Sequence, residues 1–67
     1  MVRIVLGGVY VNDRYEEIAV VYKLGERIAY EHLRSGRRLK TPDLTSVKVL
    51  RELLVKGNFR YDHKQSW

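Results

Sequence analysis

The sequence predicts an α+β domain in which a small curled antiparallel sheet packs against one C-terminal helix. Three observations carry that prediction. Up to Lys40, short stretches rich in Val, Ile and Tyr alternate with turn residues, the pattern of strands joined by hairpins. From Leu44 to Val55 the apolar residues recur at three- and four-residue steps, the helical period. The chain of 67 residues contains no cysteine, so it builds one compact core or completes it with a partner, without help from disulfides or thiolate metal sites.

Residues 2–11 are β-rich and interrupted by Gly7-Gly8. Paired glycines inside a strand mark a bulge, a sharp bend or the close approach of another backbone. No further Gly or Lys-Ser/Thr stands at the spacing of a phosphate-cradling loop. Asn12-Asp13-Arg14 reads as a turn, because Asn and Asp tolerate left-handed backbone and bond to their own loop. Residues 15–22 form the next strand, with Ile18, Val20 and Tyr22 on one face and Tyr15, Glu17, Ala19 and Val21 on the other. Its centre is apolar on both faces, as in an interior strand or a strongly curled sheet. Lys23-Leu24-Gly25-Glu26 supplies a hairpin loop. The third strand puts Ile28, Tyr30 and His32 on one face and Arg27, Ala29, Glu31 and Leu33 on the other. A tight turn at Ser35-Gly36 returns it through Arg37, Arg38 and Lys40. Four strands with short connections make a meander by default.

Thr41-Pro42-Asp43 changes the pattern. Thr or Asp suits a helix N-cap, and Pro suits the first turn. In the helix that follows, Leu44, Val47, Leu50 and Leu54 form the apolar stripe, widened by Val49 and Leu53, while Lys48, Arg51 and Glu52 lie mainly opposite. Gly57-Asn58 ends the helix, and Lys56 suits the negative end of its dipole. Phe59 is expected to fold back against the helix end, and the chain beyond Tyr61 to fray. Residues 1–61 are therefore read as a single domain and residues 62–67 as a tail.

Charge is the most informative functional signal. The net charge of +5 is unevenly placed: residues 1–33 hold four cations against five anions, and residues 34–67 hold nine cations against three. The first half is thus −1 and the second +6, the electrostatic footprint of a protein that meets a polyanion. Catalysis finds little support. The two histidines, His32 and His63, stand in no metal-ligand spacing. Glu16 and Glu17 point to opposite faces of a strand and cannot work as an acid/base pair. No serine sits in a nucleophile elbow. No apolar run approaches the roughly 18 residues of a membrane span, and the opening run is too short for a signal peptide. A non-enzymatic, cytoplasmic protein without cofactor, metal or membrane contact is expected.

The turn at residues 34–40 gathers Arg34, Arg37, Arg38 and Lys40, which offer guanidinium forks and an ammonium to phosphates. Lys48 and Arg51 on the helix would be secondary contacts. Tyr10, Tyr15, Tyr22 and Tyr30 would stack on bases or meet a partner wherever their rings are exposed. A buried ring with a wet hydroxyl is the commoner role of a strand tyrosine.

The chain length, the opening Met1-Val2-Arg3-Ile4-Val5 stretch, the Leu24-Gly25 and Ser35-Gly36 hairpins and the helix at 44–54 resemble the small basic SH3-like barrel proteins of the archaeal chromatin type. Those end in a helix and lay a three-stranded sheet on DNA. The order is also similar to the three-stranded arm-binding domains of integrases, where a sheet enters the major groove and a helix backs it. Both resemblances span most of the chain as architecture, and they imply a partial SH3-like barrel and contact with DNA. Glu16, Glu17 and Glu31 depart from a uniformly basic binding sheet, which moves the expected contact from the sheet face to the 34–40 turn. The leading expectation is a small basic nucleic-acid-binding protein. The alternative is a protein-interaction module, such as a viral or plasmid accessory factor that binds and regulates a host machine such as RNA polymerase. A third is a subunit that forms a homodimer to complete an undersized core.

Overall fold

The computed structural model describes residues 3–39 and 41–65. Among them stand β1 (Gly8–Val11), β2 (Glu17–Leu24), β3 (Arg27–Arg34), β4 (Arg37–Arg38), β5 (Asp43–Ser46), α1 (Val47–Lys56) and β6 (Arg60–Lys64). Every strand pair is antiparallel. The sheet runs β4-β3-β2-β1-β6, with β5 also paired to β3, and it is open because that path begins at β4 and ends at β6. The α+β class read from the sequence pattern is the one the chain adopts.

The β2–β3 hairpin is the centre of the sheet, since β2 is flanked by β1 and β3 while β3 is flanked by β2, β4 and β5. Within it, pairing passes from Val20↔Tyr30 to Tyr22↔Ala29. Val21 is the extra residue of a bulge, which bends the strands and raises their twist. One face of the curled sheet carries Tyr10, Ile18, Val20, Ile28 and Tyr30, which meet Leu50 and Leu54 of α1 in one buried cluster. Ile4, Val47, Leu53 and Phe59 pack at its margin. The opposite face holds a smaller cluster of Val9, Ala19 and Leu33, with Val11 beside it. Two-sided burial at the centre is what the apolar alternation of both faces of β2 demanded.

Three segments depart from the sequence reading, each for a physical reason. The first strand begins only at Gly8. Gly7 takes φ +80, and the chain turns there with the Gly8 amide donating to the Val5 carbonyl at 2.9 Å. A Cβ on Gly8 would stand 2.9 Å from that oxygen and 3.1 Å from the Tyr61 ring, so only glycine fits the approach. Residues 3–5 instead run beside the sheet, tied to it by Tyr10. Its hydroxyl accepts from the Val5 amide at 2.8 Å and donates to the Arg3 carbonyl. Burial pushes the ionisation of this hydroxyl above its ordinary value near 10, against the pull of the Val5 amide and with a smaller push from Tyr61.

The second departure is at the helix start. Thr41 and Asp43 do not cap α1, and Leu44 is not in it. Asp43–Ser46 is strand β5, pairing Tyr30↔Asp43 through Arg27↔Ser46, because the first half of β3 would otherwise leave a row of backbone groups without partners. Ser46 is the cap: its hydroxyl accepts from the Val49 amide at 3.2 Å. Leu50 and Leu54, four residues apart, point into the core, whereas Val49 and Val55 are about half exposed (49% and 55%).

The third is the tail. Ordered pairing continues past Tyr61, since Arg60–Lys64 forms β6 along the outer edge of β1. The helix is therefore followed by a strand. Asn58, at φ +56, turns the chain out of α1, with the Phe59 amide donating to the Leu54 carbonyl at 2.9 Å. Phe59 folds against the core margin as expected.

Candidate nucleic-acid interface

The β3–β4 turn is built by two residues with positive φ, Ser35 at +54 and Gly36 at +79, the backbone that joins antiparallel strands with the twist of the sheet. A turn this tight fixes the register: Arg34 pairs with Arg37 and Leu33 with Arg38. Directly paired residues share a face. Arg34 and Arg37 therefore stand opposite one another on the face that carries His32, with their Cβ atoms roughly 5 Å apart. Both are exposed. Like charges placed this way destabilise a hairpin.

The reverse face is compensated. Arg38 Nη2 lies 2.9 Å from Glu31 Oε1, and the Glu31 side chain is only 9% exposed. Glu17 Oε1 accepts from the Gly36 amide at 3.0 Å and so braces the turn. Glu16 Oε1 accepts from Asn12 Nδ2 at 3.0 Å. The three carboxylates that set this sheet apart from a uniformly basic one are thus engaged within the protein. Among the described residues, Arg34 and Arg37 make no ion pair. On their face His32 Nε2 is 3.7 Å from Asp43 Oδ2, and its ring meets Tyr30 edge-on, with centroids 5.4 Å apart.

The structure separates the remaining predicted residues. Lys40 lies outside the described residues. Lys48 is exposed in the first turn of α1, and α1 starts beside Arg27. Arg34 is seven residues further along β3, roughly 23 Å away at strand rise, so Lys48 is not part of the turn's surface. Arg51 lies one turn along the same helix, partly buried, with its Nε enclosed and without a hydrogen-bond partner among the described residues. Tyr10 and Tyr30 are withdrawn from any stacking role. Their relative exposures are 0% and 8%, because the centre of a curled sheet buries large side chains facing the helix. Tyr22 is half exposed, and Tyr15 is the most exposed large apolar residue among the described residues, at 84%.

Tyr15 sits at φ +63 in a loop organised by Asn12. The Asn12 side chain donates to Glu16 and to the Gly57 carbonyl, both at 3.0 Å, and accepts from the amides of Arg14 at 3.0 Å and Glu16 at 3.1 Å. It locks the loop to the end of α1. A concavity escaped the sequence reading. It is an open groove of about 780 Å³ between the end of α1, the start of β6 and residues 3–5, with Arg3, Val55, Phe59, Arg60 and Tyr61 among its walls. It exists because residues 60–64 form a strand, a segment with no clear period in the sequence.

Among the described residues no three His, Asp or Glu side chains gather as a metal site, and no helix is long and apolar enough to cross a membrane. No protein-family model, curated protein or solved structure significantly matches the chain.

Proposed function

We propose that this is a non-enzymatic nucleic-acid-binding protein that meets phosphates with Arg34 and Arg37 at the β3–β4 turn. The observation that supports this reading is the facing pair itself. Two guanidiniums are held opposite one another on a fixed turn, while the neighbouring carboxylates Glu17 and Glu31 are engaged on the reverse face. A phosphate between the two forks relieves their repulsion and accepts charge-assisted hydrogen bonds from both. Arg38 contributes positive field from behind, and Lys40 follows it in sequence. In this reading the open curled sheet is a partial SH3-like barrel used at its hairpin tip rather than across its face, in a cytoplasmic protein. The test is a titration against duplex DNA, single-stranded DNA and RNA at several salt concentrations. Log affinity falling linearly with log salt supports the reading; absence of binding at low salt refutes it.

A second reading, a protein-interaction module, is favoured by one specific observation. On the face opposite α1, Leu44 and Tyr22 both pair with Ala29 and so share a face, and Leu24 lies two residues beyond Tyr22. These three are 43%, 48% and 64% exposed, a half-open apolar patch of the kind that anchors a protein partner. Replacing Tyr22 and Leu24 with serine leaves nucleic-acid affinity unchanged under the first reading. Under the second it removes the capture of a partner such as a polymerase subunit.

A further inference from the structure

We propose that the groove beside α1 binds an unstacked nucleotide of a single strand, with its base against Tyr61 and its phosphate between Arg3 and Arg60. This inference rests on the nucleic-acid reading and deepens it by naming the form of nucleic acid. The groove's volume of about 780 Å³ falls in the range of sites that hold small organic ligands. Its lining joins the apolar Val55 and Phe59 to the cations Arg3 and Arg60, with no carboxylate among the lining residues. Tyr61 packs edge-on against the buried Tyr10 ring, with centroids 5.7 Å apart and planes at 72°. That contact braces the ring while leaving it 49% exposed. A braced, half-open aromatic ring beside cations is the platform on which single strands stack their bases. The exposed Asn58 amide also lines the groove and adds a donor and an acceptor for a base edge.

The charges are placed for this ligand. Arg60 Nη1 lies 3.1 Å from Asp13 Oδ1, but the two side chains are 63% and 94% exposed, so water screens the pair and a phosphate can displace it. Arg3 is exposed and makes no ion pair among the described residues. The Tyr10 hydroxyl holds the backbone of residues 3–5 as the far wall, so the site is formed before a ligand arrives. A paired, stacked base does not reach such a groove.

The test uses the full chain and two fluorescent probes: an oligothymidine strand and a blunt DNA duplex of equal phosphate number, at low salt. Tyr61→Leu keeps apolar bulk against Tyr10 and removes the stacking face. It is expected to weaken the single strand roughly tenfold, in line with the loss of one base–aromatic stack, and to leave the duplex within twofold. Arg3→Ala, a change at an exposed side chain outside the sheet, is expected to weaken the single strand several-fold and serves as the second variant should Tyr61→Leu lower the melting temperature. Equal losses on both probes, or none on either, overturn the groove while leaving the hairpin reading in place. Failure of the unmodified protein to bind either probe overturns both.

Discussion

The loop between β1 and β2 and the turn between β3 and β4 line the same hollow, the first through Tyr15 and the second through Ser35, yet their polar groups serve different ends. In the 12–16 loop the polar side chain at the centre turns inward. Asn12 is 5% exposed, and both ends of its amide are satisfied by the loop and by the end of α1. In the β3–β4 turn the charges turn outward, and a single side-chain bond, from the Gly36 amide to Glu17, braces the tip. The first turn stabilises the fold. The second sustains an unfavourable pair of cations that the fold does not need. If the pair serves binding as proposed, stability and binding are separable by mutation.

The largest effect is expected at the inward-facing turn. Asn12→Ala strands the Gly57 carbonyl and two loop amides, removes the bond to Glu16 as well, and should cost about 4 kcal/mol of folding stability, at roughly 1 kcal/mol for each bond lost. Urea unfolding measures it, and the surviving folded fraction should bind nucleic acid as before. Next comes Gly36→Val, which forces a β-branched residue to a positive φ and should cost about 1–2 kcal/mol. It should weaken binding as well, because it moves Arg37 relative to Arg34. Glu31→Gln releases Arg38 from its pair and should cost about 1 kcal/mol; thermal melting at low and high salt would show a difference that narrows with salt. The smallest stability change belongs to Arg34→Ala with Arg37→Ala. Relief of the like-charge pair should leave the melting point unchanged or raise stability by up to about 0.5 kcal/mol.

A pH series supplies the control that belongs to neither turn. The Tyr10 hydroxyl ionises less readily folded than unfolded, so its contribution is fully present below pH 10 and is lost as pH rises beyond that value. Alkaline melting should fall alike in the parent and in the Arg34/Arg37 variant. A fall confined to one of them would tie the two regions together and break the comparison.

What the sequence made legible follows the range of the interactions. Ser35-Gly36 dictates its own turn, so the opposite faces of Arg37 and Arg38 were readable locally. The helix stripe through Leu50 and Leu54 was readable for the same reason. Residues 43–46 were not, because Leu44 extends the helical spacing and only the free edge of β3 draws the segment into the sheet. Residues 60–64 became a strand through β1, some fifty positions earlier in the chain. The roles of Glu17 and Glu31 were equally hidden. Read as strand acids, they argued against a basic surface; in the fold, Glu17 reaches across 19 positions to the turn it supports. Tyr10 and Tyr30 were ambiguous for a related reason, since alternation gives a face but not which face α1 covers.

The most direct test of the central claim compares the two faces of one hairpin. Salt-dependent binding to duplex DNA would be measured for the parent, for Arg34→Ala with Arg37→Ala, and for Arg38→Ala. If Arg34 and Arg37 hold phosphates, the double variant loses about 1.8 from the slope of log affinity against log salt, near 0.9 for each contact, while Arg38→Ala, whose partner Glu31 stands behind the turn, changes the slope by less than half as much. Equal slopes for all three proteins, or a larger change from Arg38→Ala, would contradict the account.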